Sequence, residues 1–321
     1  MKNSIFACLL AIVMMPCCAL AHGFVVDGIC YNVTSEIKST CEVTFCSDEV
    51  YDTYRKFYKG VVTVPDKVTH NGKEYTVTSV GYNAFKGNDG LLSVVLPNTI
   101  VSIDNGAFSN CPNFKSFTLP ASVRLLDNWA FASLPSLEQL AVDERNPIFD
   151  SRDGCNAIIY TRTASLVVGC RTTIIPDGVT EIMYSAFKSC NVGEQAMEPF
   201  EINIPGSVKT ILAEAFKGCS SLVAVSLNEG LEKIDYYAFE GTSIKRVVIP
   251  ASVKDIRRDV FRECTSLKSI KVKKDNKVYD SRGGCNAIID SEKNRLIAEC
   301  GSTSIPEGVT RSGRWNITLT Y

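Results

Sequence analysis

A unit of about 23 residues recurs along this 321-residue chain, and a repeat that short leaves few folds open. Residues 221–250 show it most plainly: SLVAVSLNEGLEKIDYYAFEGTSIKRVVIP. Leu222, Val225 and Leu227 come first, then Leu231 and Ile234, then the pair Ala238-Phe239. The pair also stands at Ala84-Phe85, Ala107-Phe108, Ala130-Phe131, Ala186-Phe187 and Ala215-Phe216, with Val260-Phe261 as a variant. Successive anchors are 23, 23, 56, 29, 23 and 22 residues apart. One unit cannot bury its own apolar face, whereas copies stacked in register complete a continuous core.

Within the unit, a strand ends at proline in Val94-Val95-Leu96-Pro97, Phe117-Thr118-Leu119-Pro120, Ile202-Asn203-Ile204-Pro205 and Val247-Val248-Ile249-Pro250. Proline lacks the N–H a ladder needs, so it marks where the strand stops. A short extended piece follows, as in Val208-Lys209-Thr210-Ile211, and the Ala-Phe pair is expected to pack a single helical turn onto the core. Cys111, Cys190, Cys219 and Cys264 each stand three residues after an anchor Phe, where other units carry Leu134 or Thr242. A position shared by Cys, Leu and Thr suits a small buried filler, not a metal ligand or nucleophile.

Two segments lengthen the steps. Residues 146–180 and 276–310 align without a gap at an offset of 130. Each reads as two strands around a polar turn, and antiparallel pairing is expected to set Cys155 opposite Cys170, Ala157 opposite Val168 and Ile159 opposite Leu166, all on one buried face. Cys285 and Cys300 hold the same places. Each pair is either a cross-strand disulfide or two packed thiols. Of 14 cysteines, 11 lie beyond the first 21 residues, an odd number that cannot all pair internally.

The ends differ from the middle. Lys2, an apolar run over 5–15 and Ala19-Leu20-Ala21 read as a signal peptide cleaved after Ala21. Cys17 and Cys18 follow the apolar run, but Pro16 makes a poor lipobox, so cleavage is read in preference to a lipid anchor. No later stretch is long and apolar enough for a transmembrane helix. Residues 24–33, 41–46, 60–65 and 75–80 alternate like strands, with Asp27-Gly28 and Asn71-Gly72 as turns. They read as an all-β N-terminal cap over the bare end of the array. Residues 311–321 carry no anchor, and read either as a makeshift C-terminal cap or as a chain short of its natural end.

The unit Leu-x-x-Val-x-Leu-Pro-x-Ser-Val-x-x-Ile-x-x-x-Ala-Phe-x-x-Cys, matched by residues 206–219 and 251–264, resembles the leucine-rich repeat of the BspA-like surface-protein class. The stretch Tyr279-Asp280-Ser281-Arg282-Gly283-Gly284-Cys285-Asn286-Ala287-Ile288-Ile289 is similar to an insertion of that class, and the N-terminal strands resemble those of Bacteroides-type members. The resemblance covers roughly 24–310. It implies a β-rich leucine-rich-repeat solenoid with a parallel sheet. The organisation read from it is signal 1–21, cap 22–80, solenoid 81–310 with hairpin insertions at 146–180 and 276–310, and an irregular tail 311–321. It also implies a secreted or cell-surface protein that adheres to host matrix proteins, glycans or other cells, with no catalytic residue to carry over. A structural or envelope-assembly scaffold that binds other bacterial proteins is the alternative reading.

Chemistry is sparse. The chain has two histidines, His22 and His70, no Gly-x-Ser-x-Gly, no His-Glu-x-x-His, no phosphate-cradling glycine loop and no Cys-x-x-Cys. No enzyme, cofactor or metal site is read from it. A net charge of −1 gives no chain-wide field for nucleic acid or an anionic membrane. What remains is the outward sheet face, on which no repeated aromatic or single-charge stripe is legible. One local bias stands out: residues 245–277 hold 11 Lys or Arg against 4 Asp or Glu, a net of +7. Lys245, Arg246, Lys268 and Lys271 fall at its outward positions, a candidate basic patch for acidic glycans or acidic proteins.

Overall fold

The computed structural model describes residues 23–46, 57–188 and 198–311. Each coil contributes to three hydrogen-bonded ladders. The first is a parallel sheet of the longer strands. Gly60–Thr63, Leu91–Val95, Ser116–Leu119 and Gln139–Val142 lie side by side in that order. Later, Phe200–Ile204 pairs with Leu222–Leu227, and Arg246–Ile249 with Ser269–Val272. Leu91, Val94 and Leu96 point inward, as do Phe114, Phe117 and Leu119 one coil on. Gly60–Thr63 belongs to this sheet, although the sequence pattern assigns it to the N-terminal strands. It pairs in parallel with Leu91–Val95, so the array begins before residue 81.

The second ladder is made of two-residue strands. Glu181–Ile182, Thr210–Ile211, Lys233–Ile234 and Asp255–Ile256 run in parallel, each burying its isoleucine. The third ladder runs through the anchors and contains no helix, contrary to the sequence expectation. The residue two before the phenylalanine takes a left-handed conformation at Asn83, Gly106, Ser185, Glu214, Tyr237 and Asp259, with φ between 55° and 70°. That reversal breaks helical geometry. The backbone instead bonds to its neighbours: the N–H of Phe85, Phe108, Phe187 and Phe216 donates to the carbonyl of Ala107, Ala130, Ala215 and Ala238 in the next coil, at 2.7–2.8 Å.

These bonds bring the rings together. Phe85, Phe108 and Phe131 stack at 5.4 and 5.1 Å, and Phe187, Phe216, Phe239 and Phe261 at 4.6, 5.1 and 5.7 Å. Tyr58 extends the first row, 4.7 Å from Phe85. Its hydroxyl donates to the Thr44 carbonyl and accepts the Cys30 N–H. This ties the array to the antiparallel strands Phe24–Val26, Ile29–Ser35 and Thr40–Thr44. A disulfide joins Cys30 to Cys46, with Cα atoms 5.6 Å apart. The sequence pattern did not single out this pair.

Between the two phenylalanine rows sits the hairpin Ala157–Tyr160 and Ser165–Gly169. Its register corrects the sequence expectation: Ala157 faces Gly169 and Ile158 faces Val168, while Ile159 does face Leu166. Val167 is the extra residue of a bulge, which shifts later side chains to the other face. The hairpin is therefore buried on both sides. Ile158, Val167, Val168 and Cys170 join the core of the preceding coils, whereas Cys155, Ala157, Ile159 and Leu166 join the core of the following ones. The second hairpin repeats the arrangement, with Cys285 in the outer core and Cys300 against the inner one. Cys155, Cys170, Cys285 and Cys300 are all free thiols in the structure. The expected face-to-face cysteine pair does not form, because the bulge sends its two members to different cores.

Gly169 stands in for an anchor. Its N–H donates to the Ala186 carbonyl, the bond an anchor Phe makes elsewhere. A Cβ at this position would lie 2.2 Å from the Phe187 ring. The outer turn bypasses the hairpin, since the N–H of Ser133 donates directly to the Lys188 carbonyl. The 56-residue step is thus one coil step on the outside, with a hairpin filling the space inside.

Candidate binding surfaces

The cysteines that follow the anchors have a definite role. The thiols of Cys111, Cys219 and Cys264 donate to the carbonyls of Phe85, Phe187 and Phe239 in the preceding coil, at 3.0, 2.7 and 3.0 Å. Burial pushes the Cys111 thiol up to about 12 and the Cys41 thiol up to about 11, and raises Cys155, Cys264 and Cys285 as well. A thiol held protonated is a poor nucleophile. Cys190 and His22 lie outside the described residues. His70 stacks on Phe24 at 4.3 Å, with Nε2 3.0 Å from the Asn71 amide. Among the described residues no group of three or more His, Cys, Asp or Glu is placed to hold a metal, and no helix is long and apolar enough to cross a membrane.

The four basic residues expected on the sheet face lie on or directly before two paired strands. Lys245, Arg246, Lys268 and Lys271 are all exposed. Arg246 is in register with Ser269, Val248 with Lys271, and the N–H of Lys268 donates to the Lys245 carbonyl. All four therefore sit on two adjacent strand segments. Four other cations of the same stretch have partners: Lys254 with Glu232, Arg257 with Asp255, Arg262 with Glu240 and Lys273 with Glu229. Lys273 and the N–H groups of Ala251 and Ser252 hold the Glu229 carboxyl down at about 2. Among the described residues, no ion pair involves any of the four patch residues.

The internal duplication offers a control. At the position matching Lys268, the first half has Glu138, which is neutralised by Arg171 from its hairpin. Thr172 Oγ1 also bonds to the Glu138 carbonyl, just as Ser302 Oγ bonds to that of Lys268. Glycine occupies position 301 where the first hairpin has Arg171, so the second hairpin makes the backbone contact and leaves the Lys268 charge open.

A second surface escaped the sequence pattern. On the turn edge, Trp129, Tyr184, Ser185, Ala213, Glu214, Tyr236, Tyr237 and Arg258 line a cleft of about 460 Å³. The signal was present: Tyr82, Tyr184 and Tyr236 each stand three residues before an anchor Phe, and Trp129 and Tyr237 two before. These aromatics lie on the turn edge, outside the strands whose alternation marks the sheet face.

Coils of about 23 residues, each closed by its neighbours through parallel ladders and stacked rings, define a leucine-rich-repeat solenoid. The family model described as a BspA-type leucine-rich-repeat region matches residues 67–153 and 196–283, in 6 copies. The chain belongs to that family. A leucine-rich repeat protein from Bacteroides ovatus is similar at 26% identity, over 78% of this chain and 65% of that one, with a TM-score of 0.49. A leucine-rich cell surface protein from Faecalibacterium prausnitzii is similar at 20% identity, over 85% and 60%, with a TM-score of 0.41. The pneumococcal vaccine antigen PcpA is similar at 18% identity, over 80% and 82%, with a TM-score of 0.38. This chain spans 60% and 65% of the length of the first two structures' chains. No curated protein matches it in sequence.

Proposed function

We propose that this is an exported adhesin whose outward sheet face holds acidic partners, either sulfated glycans or acidic matrix proteins. The observation that carries the reading is the quartet Lys245, Arg246, Lys268 and Lys271. These are four exposed cations on two neighbouring strand segments with no ion pair among the described residues, while Lys254, Arg257, Arg262 and Lys273 nearby are paired. Surface charges are ordinarily offset by neighbours, and an unpaired cluster attracts an opposite charge. Residues 1–21 serve as the export signal, the antiparallel strands near the N-terminus cap the array, and the two hairpins are insertions that each replace part of a repeat.

The test is retention on a heparin-like column. Each exposed contact at close range is worth ~1 kcal/mol in water, so reversing all four charges to Glu lowers affinity at least about tenfold. Retention falls as salt rises, because exposed charges are screened within ~10 Å at 0.1 M. Retention that ignores salt, or survives the fourfold reversal, removes this reading.

A further inference from the structure

We infer that the turn-edge cleft is a second binding site, for a pyranose sugar that carries an acidic substituent. The inference is independent of the sheet-face reading, since the two surfaces share no residue.

The cleft spans consecutive coils. The N–H of Ser185 donates to the Ala213 carbonyl and that of Glu214 to the Tyr236 carbonyl, so these turns lie side by side. Three residues before the anchors, successive coils carry Tyr184, Ala213, Tyr236 and Arg258. Alanine between two tyrosines leaves a slot two strand spacings wide, about 9.5 Å. One six-membered ring fits there. The aromatic floor is open: Trp129, Tyr184 and Tyr236 are 40%, 46% and 38% exposed.

The rim is polar. Glu214 is held by Lys188 at 2.6 Å and Lys217 at 3.5 Å, and Lys188 also lies 3.7 Å from the centre of the Trp129 ring. Arg258 rests over Tyr236 at 5.9 Å, and no ion pair among the described residues engages it. The decisive group is Ser185. It is 4% exposed, lines the cleft, and its hydroxyl has no hydrogen-bond partner. A buried hydroxyl without a partner costs ~1–3 kcal/mol, so such a group calls for an explanation.

A sugar ring meets all of these features at once. Its C–H faces suit open aromatic rings, its hydroxyls suit Ser185 and Glu214, and an acidic substituent suits the guanidinium of Arg258. A purely apolar ligand would leave the Ser185 hydroxyl and the rim charges without partners.

The test measures binding of glucuronic acid, glucose and a glucuronate-containing oligosaccharide by saturation-transfer NMR and calorimetry. The key variant is Ala213→Tyr, which fills the slot with the residue that neighbouring coils already carry, so the fold is kept. The expected results are binding of glucuronic acid in preference to glucose, and at least a tenfold loss in both Ala213→Tyr and Tyr184→Ala. Arg258→Ala removes the preference for the acid. The fourfold sheet-face reversal leaves the glucuronate signal intact, and Ala213→Tyr leaves retention on the heparin-like column intact. Equal affinity for monomer and oligomer assigns a chain end or a free sugar, and tighter binding of the oligomer assigns an internal residue of a chain. Glucuronate binding unchanged by Ala213→Tyr overturns the inference. So does the absence of any sugar signal while an acidic peptide binds the cleft.

Discussion

Phe216→Ala tests the stacked core where it is most concentrated. The ring is fully buried and has a neighbour on each side, Phe187 at 4.6 Å and Phe239 at 5.1 Å. Removing a buried phenylalanine costs ~3–5 kcal/mol through lost transfer energy and the cavity left behind. Each stacked pair adds ~0.5–1.5 kcal/mol beyond area, which puts Phe216 at the upper end of that range. Phe261 is 6% exposed and has one stacked neighbour, so its removal should cost ~3 kcal/mol, at the lower end. Urea unfolding followed by circular dichroism measures both. A double-mutant cycle sharpens the test, because residues in contact couple by ~0.5–3 kcal/mol while distant ones add. Phe216→Ala should couple to Phe239→Ala and not to Phe108→Ala, which lies beyond the first hairpin. A cost below about 2 kcal/mol for Phe216→Ala, against the ~3–5 expected, or equal coupling to both partners, would refute the stacked-ring account.

Gly169→Ala places a Cβ 2.2 Å from the Phe187 ring and should destabilise by ~1–3 kcal/mol, read as a lowered melting temperature; an unchanged melt contradicts the packing described. Of the eight free cysteines among the described residues, Cys300 is the one that is not fully buried. Site-resolved alkylation of the native protein should therefore mark Cys300 well before Cys111 or Cys41, and early labelling of Cys111 would dispute its burial. Asp280 receives two bonds from the Arg282 guanidinium and one from Ser291, which hold its carboxyl down at about 2. With the folded value below the unfolded one, its stabilising contribution is complete above pH ~4 and disappears as pH falls through about 2. An NMR titration should place the midpoint there, and Arg282→Ala should move it up toward the ordinary carboxylate range.

The parts of the fold that repeat are legible in the sequence. Leu222, Val225, Leu227, Leu231, Ile234 and Phe239 are all buried, because a stacked core imposes one spacing on every coil. What was missed depends on single residues. The left-handed turn before six of the seven anchors is carried by Ser185, Glu214 and Tyr237 as well as by Gly106, so no glycine pattern announces it. The two-faced hairpin follows from one extra residue, Val167, and strict alternation does not reveal a bulge. The Cys30–Cys46 bond depends on how the antiparallel strands fold over Tyr58. For the sites, although period-two alternation does not by itself put Lys245 and Arg246 on one face, the excess of Lys and Arg over residues 245–277 could be read from composition alone. The aromatic cleft could not, because it gathers residues 129, 184, 213, 236 and 258 from separate coils along an edge where side chains follow no period of two.

That each coil is completed by the next is tested most directly by native-state hydrogen exchange at the anchor amides. The N–H groups of Phe85, Phe108, Phe187, Phe216 and Phe239 each donate to a carbonyl one coil further on. They should exchange only as the array unfolds, with protection approaching the global stability. Exchange at those five amides as fast as in the exposed turn at Asn71-Gly72 would show that the coils do not hold one another.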